Sequence, residues 1–311
     1  MKKQLLFYRD FMGFTGGHLK VWDYFVHTQH SSVYRPEIYF SEGSDKSKMN
    51  PWVNTIDQAL PEWHPDKADA LFVGGMDWNM LPANEYSNSR IPIVNIIQGV
   101  RHADPDDIRY PFLKNRAVRV CVGEPVTEAL HDTGQVNGPL FTIPNGIDFG
   151  QLPVSVEEKD IAVLISALKQ PELGRQLSEQ LAATGHQVML VTKKLPRNEY
   201  LSLLARTKVG IFLPLEVEGF YLPALEAMAM GVVVVCPDCI GNRAYCQPDV
   251  NCLSPEYNIM GFVTAVAAAL SLTDEKRNKL VEAGYNTAQH HRLENERKMF
   301  LTILEQLEHI W

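Results

Sequence analysis

Short apolar runs alternate with segments of helical periodicity along most of the chain. The first half predicts strands over 4–8, 37–40, 70–73, 93–97, 117–122 and 141–143, with helices over 19–30, 53–60, 107–115 and 126–133. The second half predicts strands over 161–165, 188–191, 209–213 and 232–235, with helices over 172–184, 198–206, 224–230, 258–272, 274–289 and 293–310. This alternation is typical of βαβ units, so we expect an α/β protein with parallel sheets.

A polar segment over 151–160, which contains Pro153 and the charge run 157–160, interrupts the alternation. The 311 residues are about twice a typical domain of roughly 150, so we expect two domains and place their boundary here. The predicted division is an N-terminal Rossmann-like domain over 1–150, a C-terminal one over 151–290 and a final helix within 291–311. Two such domains facing each other would hold a ligand in a cleft at the carboxyl ends of their strands.

Composition and charge exclude several classes of function. Lys plus Arg number 29 against 37 Asp plus Glu, and the net charge of −8 argues against nucleic-acid binding as the main task. The five cysteines do not indicate a secreted disulfide framework, and Arg9 stops the N-terminal apolar run too early for a signal peptide. The apolar stretch 227–236 is about half of the ~20 residues that a membrane span needs. We therefore expect a soluble, cytoplasmic protein with at most peripheral membrane contact.

The segment 213–231 carries the most informative pattern. A strand ends at Leu213, a loop carries Glu218, and Pro223 stands where the first turn of a helix tolerates proline. Glu226 then lies about one turn into that helix. The arrangement places two carboxylates beside the free amides of a helix N-terminus, which suits a sugar next to a phosphate. A solvent-facing glutamate on an ordinary amphipathic helix is the alternative interpretation.

The two glutamates are separated by seven residues, with Gly-Phe after the first and Ala-Met-Ala-Met-Gly after the second. This pattern resembles the retaining glycosyltransferases of the GT-B fold, family 4, also called glycosyl transferases group 1. The resemblance implies two Rossmann-like domains with a cleft between them and a C-terminal helix crossing back to the N-terminal domain. It also implies that Glu218 contacts the hydroxyls of the donor sugar and that Glu226 binds the ribose of the nucleotide.

Other donor-binding residues follow from the same resemblance. Lys169 matches a family lysine that neutralises the donor diphosphate, whereas the accompanying arginine has no clear counterpart and Arg175 is a candidate replacement. Family members often have glycine at the position of Tyr221, so this side chain must point away from the sugar or line the acceptor pocket. The donor loop is completed by Gly219, Phe220 and Leu222.

The first half contributes candidates around two turns. Gly16 and Gly17 follow the first strand, and their lack of Cβ would let backbone amides approach a phosphate or the acceptor. After the fourth strand, Gln98 and His102 are the candidates for a family histidine near the anomeric centre, and the register leaves both open.

Two patterns suggest metal sites but have simpler interpretations. Asp104 and Asp106 form an Asp-x-Asp sequence, yet carboxylates there are expected to cap a helix that starts near Asp107. The cysteines at 236, 239, 246 and 252 have irregular spacing for zinc. We therefore expect no metal and no cofactor besides the nucleotide-diphosphate sugar, which is a co-substrate.

The implied activity is retaining, metal-independent transfer of a hexose to a hydroxyl of a glycan, a lipid-linked or a small-molecule acceptor, as in polysaccharide biosynthesis. Two alternatives stay open: a GT-B-fold sugar-nucleotide epimerase and a non-catalytic nucleotide-sugar-binding protein. Donor hydrolysis separates the binding protein from both enzymes, and dependence on an acceptor separates the transferase from the epimerase.

Overall fold

A computed structural model describes residues 1–82, 90–154 and 158–311. The chain divides into a first unit, Met1–Asn145 with Glu294–Trp311, and a second unit, Gly146–Leu293. This division precedes the polar segment 151–160 used in the sequence prediction. Residues 155–157 of that segment, which include Glu157 of the charge run, lie outside the described residues.

The described residues form ten strands and eight α-helices. The strands are β1 (Lys3–Arg9), β2 (Tyr34–Phe40), β3 (Ala70–Gly74), β4 (Ile93–Ile97), β5 (Val118–Cys121), β6 (Leu140–Thr142), β7 (Ile161–Ser166), β8 (Val188–Val191), β9 (Thr207–Phe212) and β10 (Val233–Val235). The helices are α1 (Gly16–Gln29), α2 (Glu124–Asp132), α3 (Pro171–Ala183), α4 (Arg197–Ala205), α5 (Leu222–Ala229), α6 (Ile259–Leu270), α7 (Asp274–His290) and α8 (Leu293–Ile310).

The first unit is built on a six-stranded parallel sheet in the order β2-β1-β3-β4-β5-β6. Every residue of β3 and β4 is buried, as expected for central strands of a parallel sheet covered on both faces. Phe7 of β1 stacks on Phe72 of β3 with ring centroids 4.5 Å apart. Aromatic packing therefore forms much of this core.

Helix α8, from Glu294 onward, belongs to the first unit. Its Phe300 is fully buried, with its ring centroid 4.6 Å from that of Tyr24 on α1. The buried Lys20 of α1 places Nζ 2.6 Å from Oε2 of Glu296, and the buried His27 lies beside the same carboxylate. An apolar contact and a buried ion pair thus join α8 to α1.

The second unit has a four-stranded parallel sheet in the order β10-β9-β7-β8. Its two faces carry separate hydrophobic clusters, one centred on α4 and α5 and the other on α3 and α6. Residues 224–229 of α5 are all buried. The small side chains that dominate this helix allow close packing, as where Gly284 of α7 meets Met228.

Two predicted helices are wrong. Over 53–60 the structure has only a short 3-10 turn, Ile56–Gln58, because Asn50 and Thr55 bond their side chains to nearby backbone and favour turns. Over 107–115 it has the 3-10 turn Tyr110–Lys114, in which Pro111 lacks the N–H that a longer helix needs. The other predicted helices and strands are present, most with ends shifted by one or two residues.

Among the described residues, no helix is both long enough and apolar enough to cross a membrane.

Candidate functional site

The carboxyl ends of β7 and β9 place two loops side by side in the second unit. Ser166, the last residue of β7, is in register with Phe212, the last residue of β9. The segment after β7 carries Lys169, and the loop after β9 carries Glu218. The carboxyl edge of a parallel sheet is where α/β proteins bind ligands, so these two loops define the candidate site.

Lys169 and Glu218 form a loose ion pair across these loops. Their Nζ and Oε1 atoms are 3.7 Å apart, and the side chains are 52% and 18% exposed. The same carboxylate oxygen accepts a long 3.4 Å hydrogen bond from the amide of Leu215. A pair of this length whose cation is exposed contributes little to stability, so both groups remain available to a ligand.

Glu226 lies one turn into α5 and is held quite differently. Its side chain is 3% exposed, and Nη2 of Arg197 donates to its Oε1 over 2.6 Å. Arg197 is the first residue of α4, which follows β8. Arg197 is not among the residues predicted from the sequence, where its position just after Pro196 at a helix start was the available signal.

A polar contact fixes α4 beside the same edge of the sheet. The hydroxyl of Tyr200, one turn after Arg197, lies 3.0 Å from Oγ of Ser166 at the end of β7. Burial raises the pKa of the Tyr200 hydroxyl, with a smaller contribution from the negative charge of Glu226. The hydroxyl therefore stays protonated, and the start of α4 is anchored to β7.

The segment around Gly241 supports the loop that carries Glu218. Its carbonyl accepts from the amide of Tyr221 at 2.9 Å, and the amide of Ile240 donates to the carbonyl of Glu216 at 3.0 Å. The Tyr245 hydroxyl also donates to the carbonyl of Tyr221. A Cβ on Gly241 would lie 2.9 Å from the carbonyl oxygen of Glu218, so glycine is required by close backbone approach.

The remaining predicted donor-loop residues lie at or near the core. Gly219 is buried, Leu222 begins α5, and the ring of Phe220 lies 5.4 Å from that of Tyr245. Tyr221 is 5% exposed and packs among apolar side chains, where burial raises its pKa. Tyr221 therefore belongs to the core of the second unit.

In the first unit, Gln98 and the two glycines are brought together. Gly16 and Gly17 form the first turn of α1, which Thr15 caps by accepting from the amide of His18 at 3.2 Å. The side-chain amide of Gln98 donates to the carbonyl of Gly17 over 3.2 Å. A Cβ on Gly16 would meet nothing within 4 Å, which leaves open space in front of this turn.

His102 has a different environment from Gln98. It is 5% exposed, and burial lowers its pKa to about 4, with a further lowering from the charge of Arg109. Near neutral pH its imidazole is therefore uncharged.

Arg175 and the Asp-x-Asp residues have local partners. Arg175 pairs with Glu172 on the exposed face of α3, at 2.8 Å. Asp104 accepts from the amide of Asp106, and the pKa of Asp107 is held at about 2 by hydrogen bonds from Arg109. Asp107 thus pairs with Arg109, and because the segment 107–115 has only the 3-10 turn Tyr110–Lys114, Asp104 and Asp106 do not cap the expected helix.

The cysteine cluster likewise shows no metal geometry. Cys236 accepts a hydrogen bond from Nδ2 of Asn242 at 3.2 Å, and the five thiols are free. Within the ranges that the structure describes, no group of three His, Cys, Asp or Glu side chains is arranged to hold a metal ion.

Residues 170–287 match the family described as glycosyl transferases group 1. This confirms the predicted resemblance for the segment that contains Glu218, Glu226 and Arg197. No curated protein matches the chain in sequence.

Three solved structures resemble the chain over nearly its full length. Sucrose-phosphate synthase from Thermosynechococcus elongatus is 12% identical with a TM-score of 0.73, over 98% of this chain and 99% of that one. Anabaena HepE in complex with UDP and glucose is 12% identical with a TM-score of 0.72, over 98% and 100%. A glycosyltransferase from Rickettsia africae is 13% identical with a TM-score of 0.68, over 98% of both chains.

The predicted fold class, GT-B with two Rossmann-like domains, is confirmed. The match of residues 170–287 to glycosyl transferases group 1 supports a glycosyltransferase.

Proposed function

We propose that the chain is a retaining, metal-independent glycosyltransferase that moves a hexose from a nucleotide-diphosphate sugar to an acceptor hydroxyl. One observation carries this proposal. Glu218 and Glu226 stand on a loop and the following helix at the carboxyl edge of the second sheet, each beside a cation. Carboxylates accept hydrogen bonds from sugar hydroxyls, and cations stabilise phosphates, so the site matches both halves of a sugar nucleotide.

The two carboxylates are assigned different parts of the donor. Glu226 accepts from the ribose hydroxyls, and the amides at the start of α5 face the diphosphate. Glu218, which is more exposed and sits on the loop, accepts from hydroxyls of the transferred sugar. Lys169 lies beside Glu218 and serves the phosphate next to that sugar.

Charge development in the reaction explains the need for these groups. The bond from the anomeric carbon to the phosphate oxygen breaks, so the sugar gains positive character and the leaving nucleotide gains negative charge. Lys169 and backbone amides stabilise that leaving group in place of a metal. The acceptor oxygen bonds to the same face of the anomeric carbon, and its proton passes to the departing phosphate oxygen.

Of the two first-unit candidates, Gln98 is favoured over His102. Gln98 is partly exposed and bonds to Gly17, where open space adjoins the first turn of α1. His102 is buried and uncharged near neutral pH.

The acceptor is proposed to be a glycan, a lipid-linked sugar or a small sugar, and the protein is proposed to act in the cytoplasm in polysaccharide synthesis.

A thermal-shift panel of UDP, GDP and ADP with their glucose and mannose conjugates tests whether the site binds nucleotide sugars. UDP leads the panel because HepE is described in complexes with UDP and with UDP-glucose. A nucleotide at 100 times its dissociation constant stabilises the folded state by about 2.7 kcal/mol. Absence of a shift with every compound would contradict the proposal. Formation of a new sugar nucleotide without acceptor would instead identify an epimerase, and binding without any turnover a non-catalytic protein.

Separate substitution of the two glutamates tests their assignment. Glu226→Ala should weaken nucleotide diphosphate binding and raise KM, because ribose contacts are alike in the ground and transition states. Glu218→Ala should lower kcat by on the order of 10² while nucleotide diphosphate binds nearly as before. Calorimetric titration with the nucleotide and steady-state kinetics measure both effects, with Glu275→Ala on an exposed helix face as the control. If Glu218→Ala abolishes nucleotide binding in a folded protein, or if both variants turn over like the wild type, the assignment is wrong.

A further inference from the structure

We infer that Arg197 is a positioning residue that orients Glu226 for recognition of the ribose, an inference that rests on the proposed donor site. Arg197 lies outside the segment 213–231 that carries the family resemblance. Its evidence is the contact itself: Nη2 of Arg197 lies 2.6 Å from Oε1 of a carboxylate that is 3% exposed. A buried carboxylate needs a charged partner, and this one comes from a different helix.

The arginine is well placed to hold a fixed geometry. It begins α4, and its side chain is 24% exposed, far less than that of Lys169 at 52%. One turn later, Tyr200 joins α4 to Ser166 at the end of β7. Leu201 and Leu204 of the same helix are buried in the core. The backbone that carries Arg197 is therefore anchored to the sheet edge. The planar guanidinium, held by this backbone, restricts the orientation of the Glu226 carboxylate.

The contact with Arg197 determines which carboxylate oxygen of Glu226 binds the nucleotide. With Oε1 engaged by Arg197, the plane of the Glu226 carboxylate is set and Oε2 accepts from a ribose hydroxyl. A hydrogen bond to a charged group discriminates strongly against a ligand that lacks the hydroxyl. Arg197 would thereby set how well the protein separates ribonucleotides from 2′-deoxyribonucleotides, without touching the nucleotide itself.

The ion pair between Lys169 and Glu218 is held less firmly than the pair between Arg197 and Glu226. Lys169 and Glu218 are 3.7 Å apart and the lysine side chain is 52% exposed, so neither group fixes the other. Of the two glutamates, the one with the short, buried ion pair is Glu226, which is assigned to the ribose, the part common to all ribonucleotide donors. This is the arrangement expected of a residue that controls nucleotide discrimination.

The test compares Arg197→Lys and Arg197→Ala with the wild type in titrations of UDP, GDP, ADP and their 2′-deoxy counterparts. The matched control is Arg206→Ala, at the other end of α4, whose guanidinium pairs with the exposed Asp160. The wild type should prefer the ribonucleotide by about tenfold or more. Arg197→Ala should bring this ratio close to one while affinity for the 2′-deoxy form changes little, and Arg197→Lys should restore part of the ratio. Arg206→Ala should keep the wild-type ratio.

Glu226→Gln in the wild-type and Arg197→Ala backgrounds completes a double-mutant cycle on the same ratio. If Arg197 acts through Glu226, the second substitution should change the ratio little once the first is made. Should Arg197→Ala fail to fold by circular dichroism, Arg197→Lys alone decides, because it keeps the charge and loses the planar fork.

The outcomes separate the inference from the proposed function. If the wild type binds none of the six nucleotides, the assignment of the donor site is wrong, and the role inferred for Arg197 is wrong as well. If the wild type binds with a ribose preference that both Arg197 variants retain, only the role of Arg197 is overturned. An equal loss of affinity for ribose and 2′-deoxy forms would also overturn it, since Arg197 would then contact another part of the nucleotide.

Discussion

Gly241→Ala tests whether the segment behind the donor loop sets the position of Glu218. The added Cβ would lie 2.9 Å from the carbonyl oxygen of Glu218, 2.9 Å from the amide nitrogen of Phe220 and 3.0 Å from the carbonyl carbon of Glu218. Ordinary contact starts at 3.4 Å, so the loop must move by about 0.5 Å. All three atoms are backbone atoms, and no side-chain rotation relieves the contact.

The expected effect is on the sugar end of the donor. Overpacking of this kind costs about 1–3 kcal/mol of folding free energy. Because a displacement of about 1 Å at a reacting site costs on the order of 10² in rate, half of that should weaken sugar-nucleotide binding or slow turnover about tenfold. Binding of the free nucleotide diphosphate should stay within about twofold, since Arg197 and Glu226 belong to α4 and α5.

Calorimetry with the sugar nucleotide and with the nucleotide diphosphate measures the two effects separately, and urea unfolding measures stability. Gly43→Ala is the control, because a Cβ there meets nothing within 4 Å. The reasoning is refuted if Gly241→Ala binds the sugar nucleotide as the wild type does, or if it loses the free nucleotide equally.

Two further predictions concern metal and pH. Transfer should survive EDTA, since Lys169 and backbone amides are proposed to hold the diphosphate; loss of activity restored by Mn²⁺ or Mg²⁺ would instead implicate Asp104 and Asp106. The folded-state pKa of His102 is about 4 against an ordinary 6.5, so its contribution is present above pH 6.5 and is lost as the pH falls towards 4. The wild type should lose about 3 kcal/mol more than His102→Gln between pH 7 and pH 4, as measured by urea unfolding at each pH. Equal pH dependence of the two proteins would show that His102 is not held neutral by burial.

The fold was predictable because apolar runs and helical periodicity agree with one another along nearly the whole chain. The predictions failed where the local signal was ambiguous. Over 53–60, apolar residues have helical spacing, but Thr55 bonds to the backbone of Trp52 and favours a turn. Over 107–115, one proline outweighs the periodicity.

The candidate site was predictable only where it is local in sequence. Glu218 and Glu226 are linked by a loop and one helical turn, so their spacing reports their geometry. Arg197 reaches Glu226 from 29 positions away, and no sequence period relates the two. Gly241 supports the loop in the same nonlocal way, through hydrogen bonds that depend on tertiary packing.

The contrast between the two glutamates follows from where each is anchored. Glu226 belongs to a helix whose residues 224–229 are all buried, so its carboxylate cannot turn to a new partner without disturbing the core. Glu218 stands on a loop that backbone hydrogen bonds from the segment around Gly241 support, and its cation is more than half exposed. Substitutions that alter donor sugar preference should therefore be tolerated at the loop, where they cost little packing. Those that alter nucleotide recognition at Glu226 act on a carboxylate that is 3% exposed and paired with Arg197, so we expect them to cost more stability.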